Sequence, residues 1–506
     1  MKTATIASAF IFAIGTIAEA TPLHDAAERN DAYALQWMID AGADIEMIDE
    51  NGGTPLHVAA WYDSVAAART LIHAGADIEA EDKVNNGTPL HGAAYWNSAG
   101  VVNLLITMGA DIEARDSGGD TPLHNAASDK DAADAARLLI EAGANIEAMD
   151  NDKATPLHYA ATNNSADVAR VLTKAGANLD AKENQGDAPL HQAAYWNAVK
   201  SAKVLIEAGA DIEAKTDIGA YGDGGTALHG AAYWNSADVV NLLIAMGADI
   251  EARDSGGSTP LHEAALEKDA VDTARLLIEA GADIEAQDEN HGTPLHISAY
   301  WNSVSVARVL LDAGADIKAK NVNDSTPLHG AAWYDSVATA RMLIRAGADI
   351  EAIDKNNGTP LHVAARFNFP DTARVLIEAR ADIEAKNKNN GDTPLHAAAR
   401  NNSGTVARML IESGAGMDEK NKDGDTPLHL AARENAPVVA RWLIEAGANI
   451  EQRNEQNLTP WEVAANENAS AVFRVLTQAK GKCIDDRCLG DFPAKSADES
   501  PEDLAL

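Results

Sequence analysis

The sequence predicts an all-α repeat solenoid, stacked from helix–turn–helix units joined by hairpin loops. Three observations carry that expectation. Thr-Pro-Leu-His begins at Thr21, Thr54, Thr88, Thr121, Thr155, Thr259, Thr293, Thr326, Thr359, Thr393 and Thr426, with imperfect copies at Ala188, Thr226 and Thr459. The fourteen starts lie 33 or 34 residues apart with one exception, and a fixed period in this range is the signature of a solenoid. Each phrase is followed by a pair of small residues, mostly alanines, then by a leucine-rich run and a segment such as Gly-Ala-Asp-Ile-Glu-Ala.

Each part of the unit has a physical reason. Threonine is a good N-cap, its hydroxyl taking an orphan backbone N–H, and proline at the first helical position has no N–H to leave unpaired. Leu56, Ala59 and Ala60 fall at i, i+3 and i+4 on one face, where alanine lets a second helix approach closely. A second apolar helix, such as Ala67 to His73, stops at Gly75, which suits a left-handed C-cap. Asp77 to Gly87 then reads as an extended, turn-rich segment leading to the next threonine. Such a unit cannot bury its faces alone, so stacking creates the core. With helix layers ~8–10 Å apart, the fourteen units would form a curved rod on the order of 130 Å long.

The phrase, the paired alanines, runs such as Val101 to Ile106 and the Gly-Ala-Asp-Ile-Glu-Ala segment together resemble the ankyrin repeat, over nearly all of residues 21–480. The resemblance implies a structural role for the fourth residue of the phrase: His24, His57, His91, His124, His158, His191, His229, His262, His296, His329, His362, His396 and His429 would bond between a helix start and the neighbouring loop. It also implies that partners meet the concave side and the hairpin tips.

The two ends differ from the array. Residues 1–20 carry Lys2, an apolar run from Ala4 to Ala18 and then Ala18-Glu19-Ala20. That is the pattern of a secretory signal, and the run is too short to span a membrane as a helix. An apolar helix capping the array is the alternative. Cleavage after Ala20 would leave a charged amine at a helix start, an awkward place for positive charge, and cleavage after Gly15 is a second option. Cys483 and Cys488 are the only cysteines; in an exported chain they read as a disulfide closing a short loop, worth ~2 kcal/mol, with two free thiols as the alternative. Residues 481–506 read as a mobile acidic tail.

Composition excludes several functions. The 506 residues carry a formal net charge of −37, the wrong sign for displacing counterions from a nucleic acid. Only His73 and His291 lie outside the phrase, so no metal set is implied. Carboxylates such as Asp44 and Glu46, Asp77 and Glu79, or Asp111 and Glu113 recur once per unit, which belongs to a scaffold surface and not to one reaction centre. Glu419, Asn421, Asp423, Gly424 and Asp425 imitate a calcium loop, but Leu430 stands at the twelfth place, so a hairpin turn is the better reading. No phosphate loop, nucleophile elbow or nucleotide fingerprint is present. The reading is therefore of a protein without catalytic residues, cofactor or metal.

What remains is a recognition surface. Six units carry an aromatic dyad directly after the paired small residues: Trp61-Tyr62, Tyr95-Trp96, Tyr195-Trp196, Tyr233-Trp234, Tyr300-Trp301 and Trp333-Tyr334, with Phe367 as a weaker extension. These pairs hold six of the nine tryptophans and six of the nine tyrosines, the residue types that most often anchor interfaces. A second reading is packing spread by duplication, since residues 91–150 and 229–288 agree almost residue for residue. The glycine-rich loop from Thr216 to Gly225 has five extra residues and reads as a tolerated insertion or a special contact. Arg380 replaces a helix-ending glycine and predicts local backbone strain of about 1 kcal/mol. The acidity reads as solubility or as steering of a basic partner. The expected function is an exported monomeric scaffold, periplasmic or secreted, that binds a protein; a dedicated partner of one enzyme and a secreted effector are the alternatives.

Overall fold

Each phrase opens a short helix, and a second helix follows after a tight turn. The computed structural model describes residues 22–480 except 129–130, 218–223 and 269. The expected signal in residues 1–20, the Cys483 and Cys488 pair with its tail, and the inserted residues 218–223 lie outside the described residues. Among those described there are twenty-eight α-helices and no strand. First helices run from the phrase proline to the end of the dyad position, as in Pro55–Trp61 and Pro89–Tyr95; second helices such as Val65–His73 and Ala99–Thr107 follow. The second helices end where expected: Gly75, Gly109 and Gly143 have φ of 98°, 91° and 99°, a conformation that costs glycine little. Arg380 occupies the same place with φ 70°, as its sequence position predicts.

Contacts divide the chain into two units, Met1–Ala264 with Ala270–Asp283, and Ala265–Asp269 with Ile284–Leu506. In the first, the first helices pack in chain order from Pro22–Glu28 to Ala227–Tyr233, and the second helices do so from Ala32–Asp40 to Val271–Glu279. In the second unit the two rows run from Pro294–Tyr300 to Pro460–Asn466 and from Val304–Asp312 to Ser470–Ala479. Between rows lies a core of one leucine and two alanines per first helix, for example Leu56, Ala59 and Ala60, joined by Ala67, Ala68 and Leu71 of the second, all without solvent exposure.

The expected threonine cap is present and is shared with the histidine: Thr54 is the N-cap of its helix, and the hydroxyls of Thr393 and Thr459 accept the amides of His396 and Glu462 at 3.5 and 3.3 Å. Thr54 donates its backbone N–H to Nδ1 of His57 at 3.1 Å, and its hydroxyl lies 3.0 Å from the same nitrogen. The arrangement recurs at Thr88, Thr121, Thr155, Thr226, Thr259, Thr293, Thr326, Thr359, Thr393 and Thr426. An amide N–H can only donate, so Nδ1 accepts and the ring proton sits on Nε2. That nitrogen donates to the carbonyl just before the next phrase: His57 to Gly87 at 3.0 Å, His124 to Ala154 at 3.1 Å, His329 to Gly358 at 3.1 Å. The cap is reciprocal: the threonine side chain faces the amide three residues on, while the imidazole takes the threonine amide and reaches the next repeat.

Two further ladders run between successive repeats, and neither was expected. The second residue after the first helix adopts a left-handed conformation, as in Asn97 with φ 56°, and its side-chain oxygen accepts the amide of Ala135 on the second helix of the next repeat at 3.0 Å. Asp63 does so for Val101, Asn164 for Ser201 and Asn302 for Thr339. The third ladder uses the acidic hairpin segment. Glu46 accepts the amide of Asp77, Glu79 that of Asp111, Glu113 that of Asn145, Glu251 that of Asp283 and Glu351 that of Asp382, all at 2.7–2.8 Å. The carboxylate row read as a solvated surface is therefore a row of charge-assisted hydrogen bonds. The row is broken where Lys318 replaces the glutamate, its own amide still bonded to Asp316. We predict that Lys318→Glu supplies the missing acceptor to the amide of Asp349 and stabilises the second unit by about 1 kcal/mol. A raised urea midpoint checks it; an unchanged or lower midpoint would show that these carboxylates contribute nothing.

Candidate partner-binding surface

The dyads begin at the last residue of the first helix, so their two rings leave the backbone in different directions. In all six the second residue, Tyr62, Trp96, Trp196, Trp234, Trp301 or Tyr334, follows the helix as its C-cap and is exposed. Trp96 is the least open at 37% and Trp301 among the most at 57%. The first ring behaves otherwise. Tyr95 is buried at 7%, and Trp61, Tyr195, Tyr233 and Tyr300 are half-buried. The first residue of each dyad thus belongs mostly to packing, as one of the two sequence readings held, while the second is presented to solvent.

A glycine in the following repeat explains part of this division. A Cβ on Gly92 would lie 2.5 Å from Nε1 of Trp61, and one on Gly330 would lie 2.2 Å from Cε1 of Tyr300, so each ring rests on bare backbone that no other residue would leave free. Gly230 holds the corresponding position after Tyr195. Val363 stands there after Trp333, which remains 43% exposed and meets Phe367 at 4.5 Å between ring centroids. Edge-on pairs within the dyads, Tyr95 with Trp96 at 5.3 Å and Tyr233 with Trp234 at 5.2 Å, steady the outer rings. In the second unit Tyr300 meets Tyr334 at 5.4 Å, and Phe367 continues to Phe369 at 6.0 Å, extending the apolar strip.

Charge around this row is organised from beneath. The residue before the phrase is a buried aspartate in four repeats, and its partner decides its state. Asp392 pairs with Arg400 at 2.9 Å and Asp425 with Arg433 at 2.6 Å, the arginines standing at the first dyad position. Asp187 has Tyr195 there instead, and burial pushes its carboxyl up to about 7. Asp120 is likewise pushed up to about 7 by burial. Glu263, one residue after the phrase histidine, is raised by burial and by the nearby Asp254. The calcium-like segment is a turn: Oδ1 of Asn421 accepts the amides of Asp423 and Asp425, and Gly424 has φ 70°. Among the described residues no group of three or more histidines, cysteines or acids is placed to hold a metal ion.

The arrangement offers area and polar ring tips. Two grooves lie elsewhere, on the second helices: one of about 770 Å³ beside Arg308, Arg341 and Arg345, one of about 700 Å³ beside Asp134, Arg137 and Arg170. No helix among the described residues is long and apolar enough to cross a membrane.

Comparison with known proteins agrees with the geometry. A family model described as ankyrin repeats (three copies) matches residues 6–82, 74–150, 123–216, 215–288, 285–354, 328–421 and 410–488. No curated protein matches the chain. Among solved structures it is similar to the human ASB11 ankyrin repeat domain, with 28% identity and a TM-score of 0.40 over 44% of this chain and 98% of that one. It is also similar to the ankyrin repeat domain of Bcl-3, described as a unique member of the IkappaB protein family, with 29% identity and a TM-score of 0.38 over 44% of this chain and all of that one. The chain belongs to the ankyrin repeat family, whose repeats indicate a scaffold for protein–protein interaction.

Proposed function

We propose that the chain is an exported, non-enzymatic scaffold that captures one protein partner on the aromatic row and the adjoining hairpin tips. One observation carries this reading: at six repeats a Trp or Tyr is held exposed at a helix end, although Asn401 and Glu434 take the same C-cap position in other repeats. Exposed rings held by a rigid scaffold are the residues that dominate interface energetics. The partner is basic at its contact face, because a chain of net charge −37 attracts positive surface and repels negative. Export is supported by the apolar run from Ala4 to Ala18 ahead of Ala18-Glu19-Ala20.

Trp96, Trp234 and Trp301 are the rings to remove, since each is exposed while its dyad neighbour packs. Changing all three to alanine is expected to cut partner capture at least tenfold, with helical content retained. Captured partner should also release as salt rises, by screening. Unchanged capture by a folded triple variant would reject the aromatic row as the contact. The export reading is checked by sequencing the N-terminus of chain recovered outside the cell: Thr21 at the front supports it, and an intact Met1 removes it.

A further inference from the structure

Two hairpin carboxylates converge on one buried phenol in the first unit. Tyr159 follows His158 on helix Pro156–Thr162, and its hydroxyl lies 2.6 Å from Oδ1 of Asp120 and 3.0 Å from Oδ2 of Asp150. Asp120 ends the hairpin before Thr121, and Asp150 begins the turn before Thr155, so one side chain ties two successive hairpins to the first helix of the fifth repeat. Asp120 and Tyr159 are both buried. Tyr159 has no counterpart in the other repeats, where this position holds glycine, valine, alanine or other residues.

Proton counting decides what this contact means. A phenol has one proton and can satisfy one carboxylate; the other oxygen then faces phenol lone pairs at hydrogen-bond distance unless it brings a proton of its own. Two ionised carboxylates around one hydroxyl would leave an unmet repulsion in a site that excludes water. The surroundings supply no compensating cation. The charged groups nearest Asp120 are Asp116, Asp150 and Asp152, all acidic. Arg115 is turned to the carbonyls of Gly119 and Met149 at 3.3 and 2.7 Å, and Lys153 is exposed. His91 donates to the backbone carbonyl of Asp120, and His124 stands edge-on to Tyr159 at 5.2 Å with both ring nitrogens engaged. Asp116 and Asp150 each accept hairpin amides through Oδ1, and Asp150 is half-buried where Asp120 is buried, which leaves Asp120 as the acid of the two on the phenol.

We infer that Asp120, Tyr159 and Asp150 share one extra proton, and that its loss works as a pH-sensitive latch, releasing the hairpins around the fourth repeat from the fifth. Burial sets the working range: the Asp120 carboxyl is pushed up to about 7, with the phenol bond pulling the other way. Its folded value exceeds the unfolded one, so the latch is closed in acid and opens as pH rises through about 7. The fourth and fifth repeats carry no dyad and stand between Trp96 and Trp196 in the same unit, so opening them would alter how the aromatic groups on either side are presented together.

Hydrogen exchange of the full chain at pH 6 and pH 8, corrected for intrinsic exchange, reads the latch in peptides covering residues 115–125 and 150–162. Wild-type protection there is expected to drop roughly tenfold between pH 6 and pH 8, most of it below the midpoint, while peptides around Asp392, paired with Arg400, stay unchanged. Asp120→Asn cannot ionise and should show no drop. Tyr159→Phe removes the bond that favours the anion and raises the folded titration further, so its drop from pH 6 to pH 8 should be steeper than the wild type's, up to about a hundredfold; it carries the test if the first variant fails to fold. Equal corrected protection of the wild type at both pH values, or the same drop in a folded variant, would overturn the inference.

Discussion

A neutral imidazole, donating with one nitrogen and accepting with the other, is the contact on which the rest of the structure depends. Its Nδ1 takes the amide at the start of its own repeat and its Nε2 gives a proton to the carbonyl that precedes the next, as His57 does for Thr54 and Gly87. No hydroxyl or carboxylate could do both across that distance. The bond fixes where each hairpin begins relative to the helix before it, and the asparagine and glutamate ladders then fall into register. Short helices of five to ten residues are too brief to be stable alone, so these links between repeats, with the leucine and alanine core, are what make them helices.

The aromatic row follows from that rigidity. Because the helix ends are fixed, one position of each dyad faces the next repeat and the next faces solvent, and sequence at a single neighbouring site adjusts the outcome. Glycine at 92 and 330 lets a ring lie down on backbone, whereas Trp333, followed by Val363, stays half open. Arginine at 400 and 433 uses the same place to neutralise a buried aspartate. The scaffold therefore tolerates charge or ring at that place; at the next, outward place Asn401 and Glu434 stand in those two repeats, so the outward tryptophans are a feature added to the fold and not required by it.

Much of the fold was legible in the sequence because its signals are local: a proline at a helix start, paired small residues at i+3 and i+4, a glycine at a helix end. Arg380 was legible for the same reason, as the one departure from a repeated glycine. The threonine cap was legible from a local rule, whereas the second bond of the histidine three residues on, to a carbonyl 29 or 30 residues away, came only from the repeat resemblance. The carboxylate ladder was hidden in a similar way: Glu79 looks like surface charge until the hairpin of the next repeat brings the amide of Asp111 to it. For the dyads, sequence placed them at helix ends but could not sort inner from outer rings. The usable signal was the glycine after the phrase histidine, present at 92, 230 and 330, in each case one repeat after a dyad.

The neutrality of the imidazoles is tested most directly by the urea midpoint as a function of pH. Burial lowers the pKa of ten phrase histidines, to about 4 for His124, His158, His191 and His229, against about 6.5 in the unfolded chain. Unfolding therefore takes up protons between those values, so their contribution is complete above about 6.5 and is lost as pH falls towards 4. The raised carboxyls of Asp120, Asp150, Glu183, Asp187, Glu263 and Glu351 act in the opposite direction, but the lowered histidines outnumber them. The account predicts a midpoint that falls steeply between pH 6.5 and 4; a midpoint that stays level or rises over that range would contradict it.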